Sequence, residues 1–160
     1  MANYDENKSK PQITKELFRR WRDAREQWDA EARNAVDFTL GNHYSNDESD
    51  ALQAVGQADF VIDRVYAAVD KLKSLLTARP AKFSVIARED SDNKLSNVWR
   101  TILEYVWDIS NGDSTFKQVV HDYAVTGLGY MYVYVDPEAD YGRGEVKYTH
   151  VDPFRVYVDP

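Results

Sequence analysis

The chain has 160 residues, enough for one domain or a piece of one, and with 43% hydrophobic and 13% aromatic residues it carries the apolar material for a packed core. It has no cysteine, which excludes disulfides and thiolate metal sites and points to a reducing compartment. A net charge of −7 argues against a surface that grips phosphate backbones, which needs clustered Lys and Arg. No apolar run approaches the roughly 20 residues needed to cross a bilayer, and the polar start, Met1 to Lys10, is no secretory signal.

Residues 1–12 read as a flexible arm. Pro11 and Thr14 then offer a helix start, with Thr14 as N-cap. From there Leu17, Trp21, Ala24, Trp28, Ala35 and Thr39 recur near a 3.6-residue period, with Arg19, Arg20, Arg22, Asp23, Arg25, Glu26 and Asp29 on the other sides. The spacing predicts one amphipathic helix of about 27 residues, roughly 40 Å long, ended by Gly41. That length suits a brace more than a small domain.

Gly41 to Asp50 reads as a loop of turn formers and acids. A second helix follows, strongest from Asp59 to Ala78, with Phe60, Val61, Val65, Val69, Leu72 and Leu76 as its apolar stripe and Pro80 as its stop. Lys82 to Arg88 alternates as a short strand, and Asp90 to Asp92 as a turn and N-cap cluster. A third helix carries Leu95, Val98, Trp99, Ile102, Leu103, Val106 and Ile109 and ends at Asn111-Gly112. A fourth, capped by Asp113 or Ser114, turns Phe116, Val119, Val120, Tyr123 and Ala124 inward.

Gly127 and Gly129 break that helix and start a strand with Tyr130, Tyr132 and Tyr134 on one face and Met131, Val133 and Val135 on the other. Asp136 to Gly144 is a long turn, Glu145 to Val151 pairs back as a hairpin, and Phe154 to Val158 is a third strand. Val-Asp-Pro closes all three strands, at 135–137, 151–153 and 158–160, so one turn chemistry recurs. The fold class is therefore α+β: a long N-terminal helix and helical segments on a small, mostly antiparallel sheet. The chain stops while turning, so it reads as the front portion of a longer protein and 13–160 as an incomplete domain, marginally stable alone because its apolar faces await missing neighbours.

The chemistry of an active site is not found. His43, His121 and His150 lie in a loop, on a helix and in a strand, none at metal-ligand spacing. His121-Asp122 points in two directions on a helix, which makes it a poor base and orienter. The acids at 46–50 lack the glycine and closing glutamate of a calcium loop. Gly127-Leu128-Gly129 stands after a helix and before a strand, the reverse of a dinucleotide fingerprint. Catalytic, metal and cofactor residues are therefore all assigned as none. The aromatics are better candidates: Trp21 and Trp28 on the first helix and Tyr130, Tyr132 and Tyr134 on the strand suit a protein interface, where Trp, Tyr and Arg are enriched. Base stacking on the tyrosines is disfavoured because no basic residues interleave them.

The order of the pieces carries a resemblance: a Trp-bearing helix ending in Gly41-Asn42-His43-Tyr44, a helix running into Ala78-Arg79-Pro80, the segment Lys82-Phe83-Ser84-Val85, a helix pair, Thr126-Gly127-Leu128-Gly129, and the close His150-Val151-Asp152-Pro153-Phe154-Arg155-Val156-Tyr157-Val158-Asp159-Pro160. From about Leu17 to Pro160 the chain resembles the N-terminal portion of portal proteins, the head–tail connectors of tailed double-stranded DNA phages, and most of all those of short-tailed phages. Asp59 departs from an expected Asn, although both residues cap helices. The resemblance implies a wing-like segment of a subunit that forms a ring, usually of twelve copies, at one capsid vertex of the virion after assembly in the host cytoplasm. It implies as partners the terminase, scaffold or capsid, and head–tail adaptors, with DNA passing through the ring but not bound by this segment, and no membrane, cofactor or catalytic residue. Two other readings compete: a small cytosolic adaptor that binds through its tryptophan helix, and a hydrolase or transferase whose site lies outside the chain.

Overall fold

The computed structural model describes residues 9–87, 89 and 93–159. The first helix, α1 (Lys10–Ala24), begins earlier than the sequence predicts, inside the expected arm. The Gln12 side chain accepts from both the N–H and the hydroxyl of Ser9, so the end is capped at Ser9, and Thr14 lies inside the helix with its hydroxyl on the Lys10 carbonyl. The predicted single long helix is in fact two. Arg25 (φ −104°, ψ 5°) leaves helical geometry and α2 (Glu26–Thr39) resumes after it. No glycine or proline stands at the break; its cause is tertiary, a set of contacts from the Arg25 side chain to the far end of the chain. Leu40 closes α2, and Gly41 (φ +85°) carries the chain away while the Asn42 N–H reaches back to the Asp37 carbonyl.

The acid-rich stretch predicted as loop instead supplies a helix start. Ser45 and Glu48 form a reciprocal capping box that opens α3 (Asn46–Ala54). The next helix, α4 (Arg64–Leu76), is shorter than predicted, capped by Asp63, whose carboxylate accepts from the Tyr66 N–H. Asp59 opens no helix; it accepts from the Ser49 hydroxyl at 2.5 Å and ties the loop back to α3. The strand predicted over 82–88 is absent from the described part, 82–87, which has no ladder partner. The capping cluster predicted at 90–92 lies outside the described residues.

Two long helices follow, α5 (Asn93–Ile109) and α6 (Gly112–Thr126), joined by a two-residue turn in which Asn111 is left-handed (φ +49°). Asn tolerates that region better than most residues, so the cap of α6 is Asn111 and neither Asp113 nor Ser114. Gly127 (φ +79°) ends α6 as predicted, and β1 (Tyr130–Asp136) pairs antiparallel with β2 (Glu145–Val151), with Tyr130 opposite Val151 and Asp136 opposite Glu145. The third strand predicted at 154–158 does not form; Pro153–Arg155 is a single 3-10 turn and the sheet has two strands among the described residues. Two of the three Val-Asp-Pro sites share one turn chemistry, in which Asp136 accepts from the Glu138 N–H and Asp152 from the Phe154 N–H, whereas Asp159 accepts from the Trp21 indole.

α6 is the centre of the fold. Helices α2, α4 and α5 and the hairpin all pack on it. The architecture is α+β, as the sequence predicts. Yet only Ala32, Val106 and Val120 are buried hydrophobics among the described residues, and the chain exposes 12650 Å². A folded monomer of 18.5 kDa exposes about 8,200 Å² on the usual scaling. The surface is thus about half as large again as a self-sufficient domain of this mass requires.

Two glycines set the tightest approaches. A Cβ on Gly112 would stand 2.1 Å from the Trp107 ring, and one on Gly129 would stand 2.5 Å from the Val119 carbonyl oxygen. Gly112→Ala and Gly129→Ala are each expected to lower stability by about 1–3 kcal/mol through overpacking, whereas Gly56→Ala, with open space around it, acts only through its positive φ and costs about 1 kcal/mol. Urea melts of the three variants check the order.

Candidate assembly surface

The site is best built from Arg25. Its guanidinium stacks over the Trp28 ring and over the Tyr157 ring, 4.6 Å from each centroid. It also donates to the Asp29 carboxylate at 2.6 Å, to the Pro153 carbonyl at 3.3 Å and to the Val156 carbonyl. A planar fork with five donors is suited to such convergence, and a lysine is not. Around it Phe18 meets Tyr157 edge-on at 4.7 Å, Trp28 meets Phe154 at 5.5 Å, and Arg33 lies over Phe154. The two ends of the described chain are thereby stitched together. The helix breaks at the residue whose side chain makes this stitch, which is the tertiary cause of the divided N-terminal helix.

The tryptophans proposed from sequence sit at this stitch. Trp21 is half-buried and donates its indole N–H to Asp159 at 3.1 Å; Trp28 is half-buried and donates to the Thr126 carbonyl at 3.0 Å. The tyrosines lie elsewhere. Register places Tyr130, Tyr132 and Tyr134 with Thr149 and Lys147 on one face of the hairpin, and Tyr148 and His150 on the other. That second face meets the helices: Tyr148 packs on Trp107 and its N–H reaches the Ser110 hydroxyl, and His150 Nε2 stands 2.5 Å from the Asp122 carboxylate on α6. On the tyrosine face Tyr132 is 58% exposed and stacks on Tyr134 at 6.0 Å, while Tyr130 and Tyr134 are half-buried. The structure does not bring the tryptophans and tyrosines into one site.

Side-chain period alone misses Arg25, which it places among the solvent-facing charges, and Asp29, which is half-buried beside it. Their i, i+4 spacing is the one available signal. Period also passes over Asp122, whose partner proves to be His150 and not only the neighbouring His121.

Uncovered apolar surface is the other feature. Leu95, Val98, Trp99 and Ile102 precede Val106 on the same apolar face of α5, with Tyr105 at its edge, and Val98, Trp99 and Tyr105 are each more than half exposed. Of the stripe predicted for the second helix Phe60, Val65, Leu72 and Leu76 are exposed and Val61 and Val69 are half-buried, while Ile62, Tyr66 and Leu75 beside it are more than half exposed. Trp107, by contrast, is enclosed by Phe83, Phe116 and Tyr148.

The charged groups that depart from ordinary titration serve structure. Lys147 on the hairpin bonds Asp136 at 2.8 Å and, with the Glu138 N–H, holds that carboxyl below the usual range; the same contact raises Lys147. Glu145 accepts from the Tyr105 hydroxyl and raises it, linking α5 to the hairpin. Ser45 lowers Glu48, and Ser49 lowers Asp59. Among the described residues no group of three His, Cys, Asp or Glu side chains is arranged to hold a metal, and no helix is long and apolar enough to cross a membrane.

A stitched scaffold with wide uncovered apolar faces defines a structural building block. The model of one family, described as Phage P22-like portal protein, matches residues 15–160, and the chain belongs to that family. The family is structural, and membership implies oligomeric assembly within the phage head. A search of the curated proteins finds no match.

Two outcomes test this geometry. Arg25→Lys keeps the charge but loses the fork and both stacks, and is expected to lower stability by about 1–3 kcal/mol in urea melts, with Arg25→Ala costing at least as much. For the hairpin pair, the Asp136 contribution is present above the ordinary aspartate value, near pH 4, and lost as pH falls through its depressed folded value. The Lys147 contribution is present below about pH 10 and lost as pH rises through its raised value. The difference in melting temperature between the wild type and Lys147→Gln should therefore be steady at neutral pH and shrink as pH falls below the ordinary aspartate value.

Proposed function

We propose that this chain forms the outer, wing-like part of a portal subunit, one of a ring of copies at a single capsid vertex through which DNA is packaged and ejected. The terminase docks to that ring during packaging and head–tail adaptors replace it afterward. In this reading the segment braces the ring and meets scaffold or capsid while DNA passes without being gripped, consistent with a net charge of −7. The observation that carries the proposal is the family match over residues 15–160 together with large apolar side chains left exposed before and on α4 and on α5, such as Phe60, Leu75, Val98 and Trp99. Trp21 and Trp28 position the brace from within, and Tyr130, Tyr132 and Tyr134 offer a face to a neighbour. No residue has a catalytic role; the work of moving DNA belongs to the docked motor.

Immunogold labelling of capsids with an antibody raised against this chain tests the proposal. One labelled vertex per particle is expected. Label over the whole shell, or capsids without label, overturns it.

A further inference from the structure

Charge is segregated along the first part of the chain. Residues 10–25 carry six Lys or Arg against two acids, in a protein whose net charge is −7. Residues 34–63 then contain six acids and no Lys or Arg at all. Both charged faces are open: Lys15, Arg19 and Arg20 on α1 are exposed, as are Asp47, Glu48 and Asp50 on α3.

The acidic segment is also the least supported part of the described fold. α3 is absent from the principal packings, which join α4, α5, α2 and the hairpin to α6, and its clearest tie is the Ser49–Asp59 bond to its own following loop. The same segment carries apolar side chains with little cover: Leu40 at 68% exposure, Val55 at 70%, Phe60 at 75% and Ile62 at 67%. Charge of one sign beside open apolar side chains suits protein binding, since the charge steers the approach and the apolar groups supply the burial. α1 is held to the C-terminal segment through Trp21–Asp159 and Phe18–Tyr157, which leaves its arginine face outward. That face has the sign, the helical form and the exposure the segment lacks.

We propose that α1 of one copy seats its arginine face on the acidic 34–63 segment of the next, with its open apolar side chains. The contact joins two different surfaces, so it is heterologous: each copy offers a donor face and an acceptor face, and the contact propagates head to tail until the rotation closes. The occupant is a second copy because the chain itself carries the complementary charge, and because the ring reading, on which this inference rests, requires repeated unlike contacts. Like charge across any other pairing of these two faces would repel.

The chain has no cysteine, so engineered disulfides report this geometry without background. The full chain carrying Arg19→Cys and Asp47→Cys together should yield a ladder of cross-linked multimers on a non-reducing gel after mild oxidation. Each single variant should stay monomeric, and a mixture of the two singles should stop at dimers. Arg20→Cys with Asp50→Cys is a second pair that keeps the test alive should the first disturb folding, which far-UV circular dichroism reports. Absence of multimers from both double variants overturns the proposal. So does dimerisation of a single variant, which would mean a symmetric contact, or closure within one chain, seen as a disulfide without a change of mass. Single-vertex labelling of capsids without a ladder removes this contact and leaves the proposed role standing; a ladder with unlabelled capsids does the reverse.

Discussion

The Arg25 guanidinium is the interaction on which the arrangement of the N-terminal helices depends. It gathers Asp29 from its own helix, two carbonyls from residues 153 and 156, and the faces of Trp28 and Tyr157. Each of these alone is worth little, because an exposed pair is screened and a lone carbonyl bond is modest. Brought onto one planar, half-buried cation they reinforce one another. Residues 128 and 131 positions away in sequence become neighbours of the helix break. With so few buried hydrophobic residues, a polar and aromatic stitch does a task that a larger core performs in an ordinary domain.

A shortage of burial explains much of what remains. α6 is sheathed by other elements and holds Val120, while α5 covers only one of its sides, through Val106 and Trp107. The same apolar face of α5 runs back from Val106 through Ile102, Trp99 and Leu95, where it is open. An apolar stripe is built to be covered along its length, and the chain covers only the C-terminal part of this one. Membership in a family of structural phage proteins is in keeping with an apolar face that the chain leaves open.

The hairpin shows how a small sheet is kept in register without a third strand. Asp136 and Asp152 each close a strand by accepting from the N–H two residues on, which ends pairing at a defined residue. Lys147 crosses to Asp136, Tyr105 reaches Glu145 from α5, and His150 reaches Asp122 on α6. A slip of one residue would exchange the tyrosine face with the helix-facing one and break all three links.

Local chemistry makes several elements legible in the amino-acid sequence itself. The periodic runs of α5 and α6, the glycine stop at Gly127, the hairpin of β1 and β2 and the α+β class follow from side-chain period and turn residues, which act over a few neighbours. The Trp-bearing helix and the order of pieces up to the closing Val-Asp-Pro also suffice for the family resemblance. Ser45 with Glu48 has the spacing of a capping box, but the surrounding acids read as loop and hide α3. What the sequence could not disclose was decided across long separations. The break at Arg25 carries no local breaker and exists because the side chain bonds residues 153 and 156. Lys82 to Ala87 and Phe154 to Val158 have strand-like composition but no partner strand, and a strand is a property of a pair. Apolar stripes fixed by period alone say that a face must be covered; only packing decides which part of that face finds its cover within the chain, as Val106 does, and which is left open, as Trp99 is two turns earlier.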